Sequence, residues 1–329
     1  MQVLKFGGSS LADAAAIRHV AQLVREHSRD VDTVVVCSAC AGITNRLVRV
    51  TELVRAGQSV QALNETWAIR SQHRAFLASI DIGIANQNAH GELVKGPRIW
   101  VELEDLGESL RALVAGTSSE QADAAWAARI LSYGERASAR LVAGALQKAE
   151  VCALAVDATD CVETDDNFLN ATPLWEETRR RTCDTLLTLL EEGMTPVVTG
   201  FIGATSRGEL TTLGRNSSDF SAAIIGDALD ADEVCLWTDV DGVYDRDPRG
   251  AQNSSGDFTL LEHLSYDEAL RMAERGAKVV HPGTIHPLRE KNIILRIRNT
   301  FRPEHSGTRI GPAAQPSMQR VDFVREEAR

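Results

Sequence analysis

The sequence predicts an α/β fold: a three-layer α/β/α sandwich with a mainly parallel central sheet. Two observations carry this. Short apolar runs recur at residues 3–6, 34–37, 151–156, 196–203, 234–237 and 293–297. Most are separated by stretches whose apolar residues recur at three- and four-residue steps, the signature of amphipathic helices. Strands that alternate with helices pair in parallel, and their sheet is covered on both faces. No internal repeat, low-complexity tract or long Pro/Gly/Ser linker interrupts the pattern.

The elements follow in order. The first strand, residues 3–6, stops at Gly7-Gly8, a tight turn. A helix is predicted from Ser10 to about residue 27, with Ile17, Val20, Leu23 and Val24 on one face. Residues 34–37 form a second, buried strand. Residues 45–56 form a helix with Leu47, Val50, Leu53 and Val54 in register. Residues 59–148 carry few strand signals and read as a helical insertion. Within it, Ile99, Leu103, Leu106, Leu110 and Leu113 define one long helix. A strand at 151–156 and a helix at 175–192 come next, then a strand over 196–203 that runs into glycines. A helix (218–229), a strand (234–237), a helix (267–275) and a strand (293–297) complete the pattern. Residues 311–329 read as a tail.

Composition narrows the function. The chain has 329 residues, 43% of them hydrophobic, enough to bury a sizeable core. Lys and Arg number 35 against 46 Asp and Glu, a net charge of −11. That balance argues against nonspecific binding to nucleic acid or an anionic membrane. It leaves room for a small anion held by local cations. The N-terminus has no cationic leader before an apolar segment, and no apolar run approaches a membrane span. Six cysteines at low density suggest reduced thiols and a cytoplasmic enzyme. Cys37 and Cys40 have redox-like spacing. With no second such pair, and directly after an apolar strand, they read as strand-end packing.

Four segments could carry chemistry. In Lys5-Phe6-Gly7-Gly8-Ser9-Ser10, glycines let backbone amides converge on phosphate oxygens, and Lys5 can neutralise a phosphoryl group. The spacing is neither that of a P-loop nor of a dinucleotide-binding turn, and an ordinary turn is the plain alternative. Gly200-Phe201-Ile202-Gly203 and Thr211 to Asp219 follow. There small and hydroxyl residues suit phosphates, and Arg215 suits a carboxylate. The alternative there is capping by Ser217 or Ser218 with an Arg215–Asp219 surface pair. Trp237 to Tyr244 places Thr238 and Asp239 at a strand's carboxyl end, where open α/β sheets bind ligands. A solvated turn is the alternative. Lys278 stands between a helix end and an apolar pair, where a surface lysine is common. His281, before a proline, reads as a packed or capping histidine.

Together these segments resemble the catalytic domain of aspartate kinases, in the amino acid kinase superfamily. Also part of the likeness are Ser38 to Asn45, Ser132-Tyr133-Gly134-Glu135, Asp247-Pro248-Arg249, and Arg298-Asn299-Thr300 with Gly307-Thr308. The resemblance spans residues 1 to about 310. It implies the amino acid kinase fold, with an aspartate-binding lobe over 1–199, a nucleotide-binding lobe over 200–310 and a tail over 311–329. It also implies transfer of the ATP γ-phosphate to the side-chain carboxylate of L-aspartate. That is the first step toward lysine, threonine and methionine.

By the same resemblance, Lys5, Gly7, Gly8 and Lys278 approach the nucleotide's phosphates, and Thr238, Asp239, Tyr244, Arg249 and Val279 line the rest of its site. Ser38, Thr44, Glu135 and Arg215 surround aspartate. Lys5, Arg215, Asp219 and Lys278 form the reacting centre. Glu135, expected in a turn between helices, suits the substrate's ammonium. Mg2+ is expected on ATP rather than on protein ligands, and a homodimer is expected. The alternative reading is a kinase of the same fold with another amino acid carboxylate as acceptor. The family often carries Gly-Gly where Asn216-Ser217 stand here. It also usually continues into paired ACT domains that bind lysine or threonine, and no such feedback site is expected in this chain.

Overall fold

The computed structural model of the chain describes residues 1–81, 98–214, 217–245, 258–275 and 280–312. Arg215, Asn216, Arg249, Lys278, Val279 and the tail beyond residue 312 lie outside the described residues.

The first half runs β1 (Gln2–Phe6), α1 (Ala14–His27), β2 (Thr33–Cys37), α2 (Ile43–Arg55), α3 (Ser59–Ser79), α4 (Arg98–Ala115), α5 (Ala124–Leu131) and α6 (Tyr133–Lys148). It continues with β3 (Ala153–Val156), β4 (Glu163–Thr164), α7 (Trp175–Glu191), β5 (Thr195–Thr199), β6 (Ile202–Thr205) and β7 (Leu210–Thr212). The remainder is α8 (Ser218–Ala228), β8 (Glu233–Thr238), β9 (His263–Ser265), α9 (Tyr266–Glu274), α10 (Pro282–Glu290), β10 (Ile294–Asn299) and β11 (Thr308–Gly311).

Eight strands form one sheet in the order β3-β5-β2-β1-β8-β10-β11-β9, and β4-β6-β7 form a small second sheet. From β3 to β10 every neighbour is parallel, and β11 turns antiparallel to β10. Side chains along a strand alternate between faces. Leu4, Phe6, Val35, Cys37, Val197 and Trp237 therefore pack on one side, under α1 to α6. Val3, Val34, Val36, Val198, Val234 and Leu236 pack on the other, under α8, α9 and α10. This is the predicted sandwich.

Several expectations need correction. The helix after Gly7-Gly8 does not begin at Ser10. Residues Gly8–Leu11 form a 3-10 turn, and α1 starts at Ala14, where the Asp13 carboxylate accepts from the Ala16 amide at 2.8 Å. The Asp13 carboxylate thus caps the positive end of α1, which begins six residues after Gly8 rather than at the glycine turn. The strand expected over 196–203 is two strands. Phe201 takes φ +69° between them, and the chain switches from the large sheet to the small one. The region 59–148 is helical where described. However, α6 is no insertion: it packs on α1, β2, β3 and β5 as part of the sandwich layer. Gly311, expected in the tail, ends β11. The unforeseen α10 begins at Pro282 and holds Pro287 inside it; His281 caps it, its Nδ1 accepting from the Gly283 amide at 3.1 Å.

Candidate active site

β1 lies between β2 and β8, which continue the sheet on either side of it. A crevice opens outside the carboxyl ends of such strands. Here it is a cleft of about 680 Å3, lined among others by Lys5, Gly7, Gly8, Ser38, Thr44, Glu135 and Asp219. Seven of the predicted site residues thus share one cavity.

Lys5 is the fourth residue of β1, so alternation puts it on the Val3 face, beneath α8. The first turn of α8 supplies Asp219, whose Oδ1 lies 2.5 Å from Lys5 Nζ. Asp219 thus pairs with Lys5 across the fold, while Arg215, its partner in the surface-pair alternative, lies outside the described residues. The Lys5 side chain is 11% exposed and the Asp219 side chain 32%. The pair stands at the cleft wall, where the ammonium can meet a second anion. Gly7 and Gly8 keep that approach open. A Cβ on Gly7 would sit 3.5 Å from Lys5 Nζ, and one on Gly8 would sit 3.1 Å from the Ala39 carbonyl.

Glu135 comes from the opposite layer. It lies in the first turn of α6, not in an inter-helix turn as expected, and is 3% exposed. Gly134 makes this possible: a Cβ there would fall 2.7 Å from Ala39 Cβ, so only glycine lets α6 press against the loop after β2. The Ser138 hydroxyl ties the same surfaces by donating to the Ser38 carbonyl at 2.6 Å. Glu135 Oε1 accepts from the Ala39 amide at 3.1 Å, while Oε2 has no partner. Burial pushes the Glu135 carboxyl up to about 8, partly offset by the Ala39 hydrogen bond and the Lys5 charge. A buried acid with one unused oxygen at the wall of a cleft is built to receive a cation.

Thr238, Asp239 and Tyr244 do not line this cleft. They follow β8, the strand beside β1, and the Gly7 amide donates to the Trp237 carbonyl at 3.4 Å. They therefore stand at the neighbouring strand end. Thr238 donates to Asp239 Oδ1 at 3.2 Å. Cys37 is buried beneath the cleft, and Cys40 sits in its wall with almost no exposed surface. Burial raises both thiols, Cys40 to about 12, so both stay protonated and unreactive.

Other residues of the cleft wall were not singled out from the sequence: Leu169, Thr51 and Arg55. Leu169 comes from the irregular loop between β4 and α7. Arg55 ends α2 and donates to the Ala122 and Asp123 carbonyls. No local signal marks either one. Phe201 also lines the wall, and its glycine neighbours did flag that segment.

An α/β sandwich with lysine, glycines and acids gathered at the carboxyl edge of its sheet defines a class of small-molecule site. The family follows from comparison: the amino acid kinase family model matches residues 1–299, and the chain belongs to that family. Among its relatives is the lysine-sensitive aspartokinase 3 of Escherichia coli K12, 33% identical over 309 residues, 94% of this chain and 63% of that protein. Another is the chloroplastic aspartokinase 3 of Arabidopsis thaliana, 36% identical over 316 residues, 94% of this chain and 52% of that protein. Among solved structures, E. coli aspartokinase III in complex with aspartate and ADP superposes with a TM-score of 0.81 at 32% identity. That match covers 96% of this chain and 65% of that one. The chain thus spans between half and two thirds of the length of these relatives. Its sheet and flanking helices have the amino acid kinase fold.

Proposed function

We propose that this chain carries the catalytic unit of an aspartate kinase, transferring the γ-phosphoryl group of ATP to the side-chain carboxylate of L-aspartate. The product is 4-phospho-L-aspartate, and ADP leaves. The observation that carries this reading is the meeting of Lys5, Asp219 and the half-paired, buried Glu135 in one cleft. The names of the relatives and the aspartate and ADP bound by the superposed structure support it.

The acceptor needs no strong base, because a carboxylate with a pKa of about 3.9 is already ionised at neutral pH. It needs its repulsion from the polyphosphate removed. Lys5 supplies positive charge where β1 ends, and Asp219 holds the ammonium at that edge until the nucleotide arrives. Glu135 receives the acceptor's α-ammonium on its free oxygen, and Ser38 and Thr44 stand beside it. Residues 1–199 form the acceptor side. Residues 200–310 form the nucleotide side, with Thr238, Asp239 and Tyr244 in the loop after β8. Arg215, Arg249, Lys278 and Val279 take the roles the family resemblance implies, Arg215 on the α-carboxylate. Among the described residues no group of three or more His, Cys, Asp or Glu could hold a metal. We place Mg2+ on the nucleotide, where it would neutralise phosphate charge beside Lys5. We also propose a cytoplasmic location and a homodimer. No helix among the described residues is long and apolar enough to cross a membrane.

Hydroxylamine traps acyl phosphates and tests the assignment. With Mg·ATP and L-aspartate the protein should form aspartyl hydroxamate. Hydroxamate from glutamate or N-acetylglutamate, and none from aspartate, would favour the second reading, a kinase of this fold with another carboxylate acceptor.

A further inference from the structure

Asp241 is a buried carboxylate to which neither the sequence motifs nor the reading above gives a role. It is 6% exposed and sits in the turn after β8, between Asp239 and Tyr244. Three donors from two segments converge on it. Asn299 Nδ2 donates to Oδ1 at 2.7 Å, and the Arg302 guanidinium and the Tyr244 hydroxyl donate to Oδ2, the latter at 3.2 Å.

The donors are themselves fixed. Asn299 ends β10 in register with Thr238 of β8, and the Thr300 amide donates to the Thr238 carbonyl at 2.8 Å. The Asn299 Oδ1 accepts from the Phe301 amide at 2.8 Å, which leaves its Nδ2 facing Asp241. The other end of the turn is fixed by backbone. Gly242 takes φ +153°, and a Cβ there would strike Thr308. The Val243 amide donates to Thr308 Oγ1 at 2.8 Å, and the Leu261 amide donates to the Val243 carbonyl at 2.8 Å. Tyr244 is half-buried. Its backbone is held by the bridge to Leu260, and its ring is oriented through its hydroxyl. Burial and the Asp241 charge raise the phenol's pKa, so it stays a donor.

We propose that Asp241 is a positioning residue for the nucleotide: it holds the Tyr244 ring through its hydroxyl at the angle that receives a nucleoside triphosphate, and touches no ligand itself. This deepens the proposed function and rests on the reading that Tyr244 lines the nucleotide site. The segment 299–302 then acts as an anchor. Its Asn and Arg neutralise and orient the carboxylate, and the carboxylate orients the ring.

The test uses the full chain titrated calorimetrically with Mg·ADP and, separately, with L-aspartate. Tyr244→Phe removes only the hydroxyl, and should weaken Mg·ADP about fivefold, the worth of one net hydrogen bond. Asp241→Asn should weaken it by a similar or larger factor. The double variant should be no weaker than the weaker single one, because both changes break one link. Aspartate binding should stay within about twofold in each, a split that general misfolding would not give. Tyr244→Phe keeps the test open if Asp241→Asn fails to fold. If Tyr244→Phe binds Mg·ADP like wild type while Tyr244→Ala does not, the nucleotide reading stands and the positioning role is overturned. Multiplicative effects in the double variant, or equal loss of aspartate binding, would also overturn it. If Tyr244→Ala binds normally, the loop does not hold the nucleotide, and both readings fall.

Discussion

Replacing Glu135 by Gln separates what stabilises this protein from what lets it bind. Burial lifts the carboxyl from 4.5 to about 8. That rise corresponds to on the order of 5 kcal/mol between its two protonation states. The folded protein binds this proton more tightly than the unfolded chain does. Its stabilising contribution is therefore complete below pH about 4.5 and lost as pH rises through about 8. Gln carries no such proton and can keep the Ala39 amide contact. The variant should match wild type at pH 5 and exceed it at pH 9 by a few kcal/mol, about 5 °C or more in Tm. Function should move the other way. An acceptor ammonium needs the ionised acid, so Glu135→Gln should lose on the order of 100-fold in L-aspartate affinity. In wild type at pH 7, aspartate binding should release up to about 0.9 proton, measurable by calorimetry in buffers of different ionisation enthalpy. A variant less stable than wild type at pH 9, or one with unchanged aspartate affinity, would show that Glu135 is not a buried acid that ionises to hold the ammonium.

Two further outcomes follow from packing and burial. Gly134→Ala puts a methyl 2.7 Å from Ala39 Cβ and 3.3 Å from Ile43 and Leu47 side-chain carbons. It should destabilise the protein by about 1–3 kcal/mol, read as a lower urea midpoint at unchanged m-value, and should also raise the KM for the acceptor. Under native conditions at pH 8, iodoacetamide should label the exposed Cys152 and leave Cys37 and Cys40 intact; mass spectrometry of the digested protein reads this directly, and rapid labelling of Cys40 would contradict its burial.

The central sheet was legible because its strands are short, apolar and separated by helices with clean periodicity. The same grammar failed where structure is not periodic. Pro282 and Pro287 hide α10, since proline reads as a helix breaker although the first turn tolerates it. β6 and β7 are only four and three residues long, too short for alternation to show. The 196–203 run looked continuous because a non-glycine residue, Phe201, takes the left-handed turn that breaks it. At the site, Lys5 and the glycines announced themselves by position at a strand end. The Lys5–Asp219 pair did not. It joins residues 214 positions apart, and only the sheet order brings α8 over β1. The state of Glu135 was equally hidden. Its motif was visible, but the burial that lifts its carboxyl comes from packing α6 against the loop after β2, an approach Gly134 permits. Asp241 lay inside a noted motif, yet two of its three partners, Asn299 and Arg302, come from a segment about 60 residues further on.

The proposed phosphoryl transfer depends most on Lys5 as the group that lets two anions meet in the cleft. The decisive measurement is the hydroxamate assay with Mg·ATP and L-aspartate on Lys5→Met, alongside circular dichroism and thermal melting of the same samples. The variant should fold like wild type and lose at least about 100-fold in turnover. A folded Lys5→Met that forms aspartyl hydroxamate at the wild-type rate would contradict that role for Lys5.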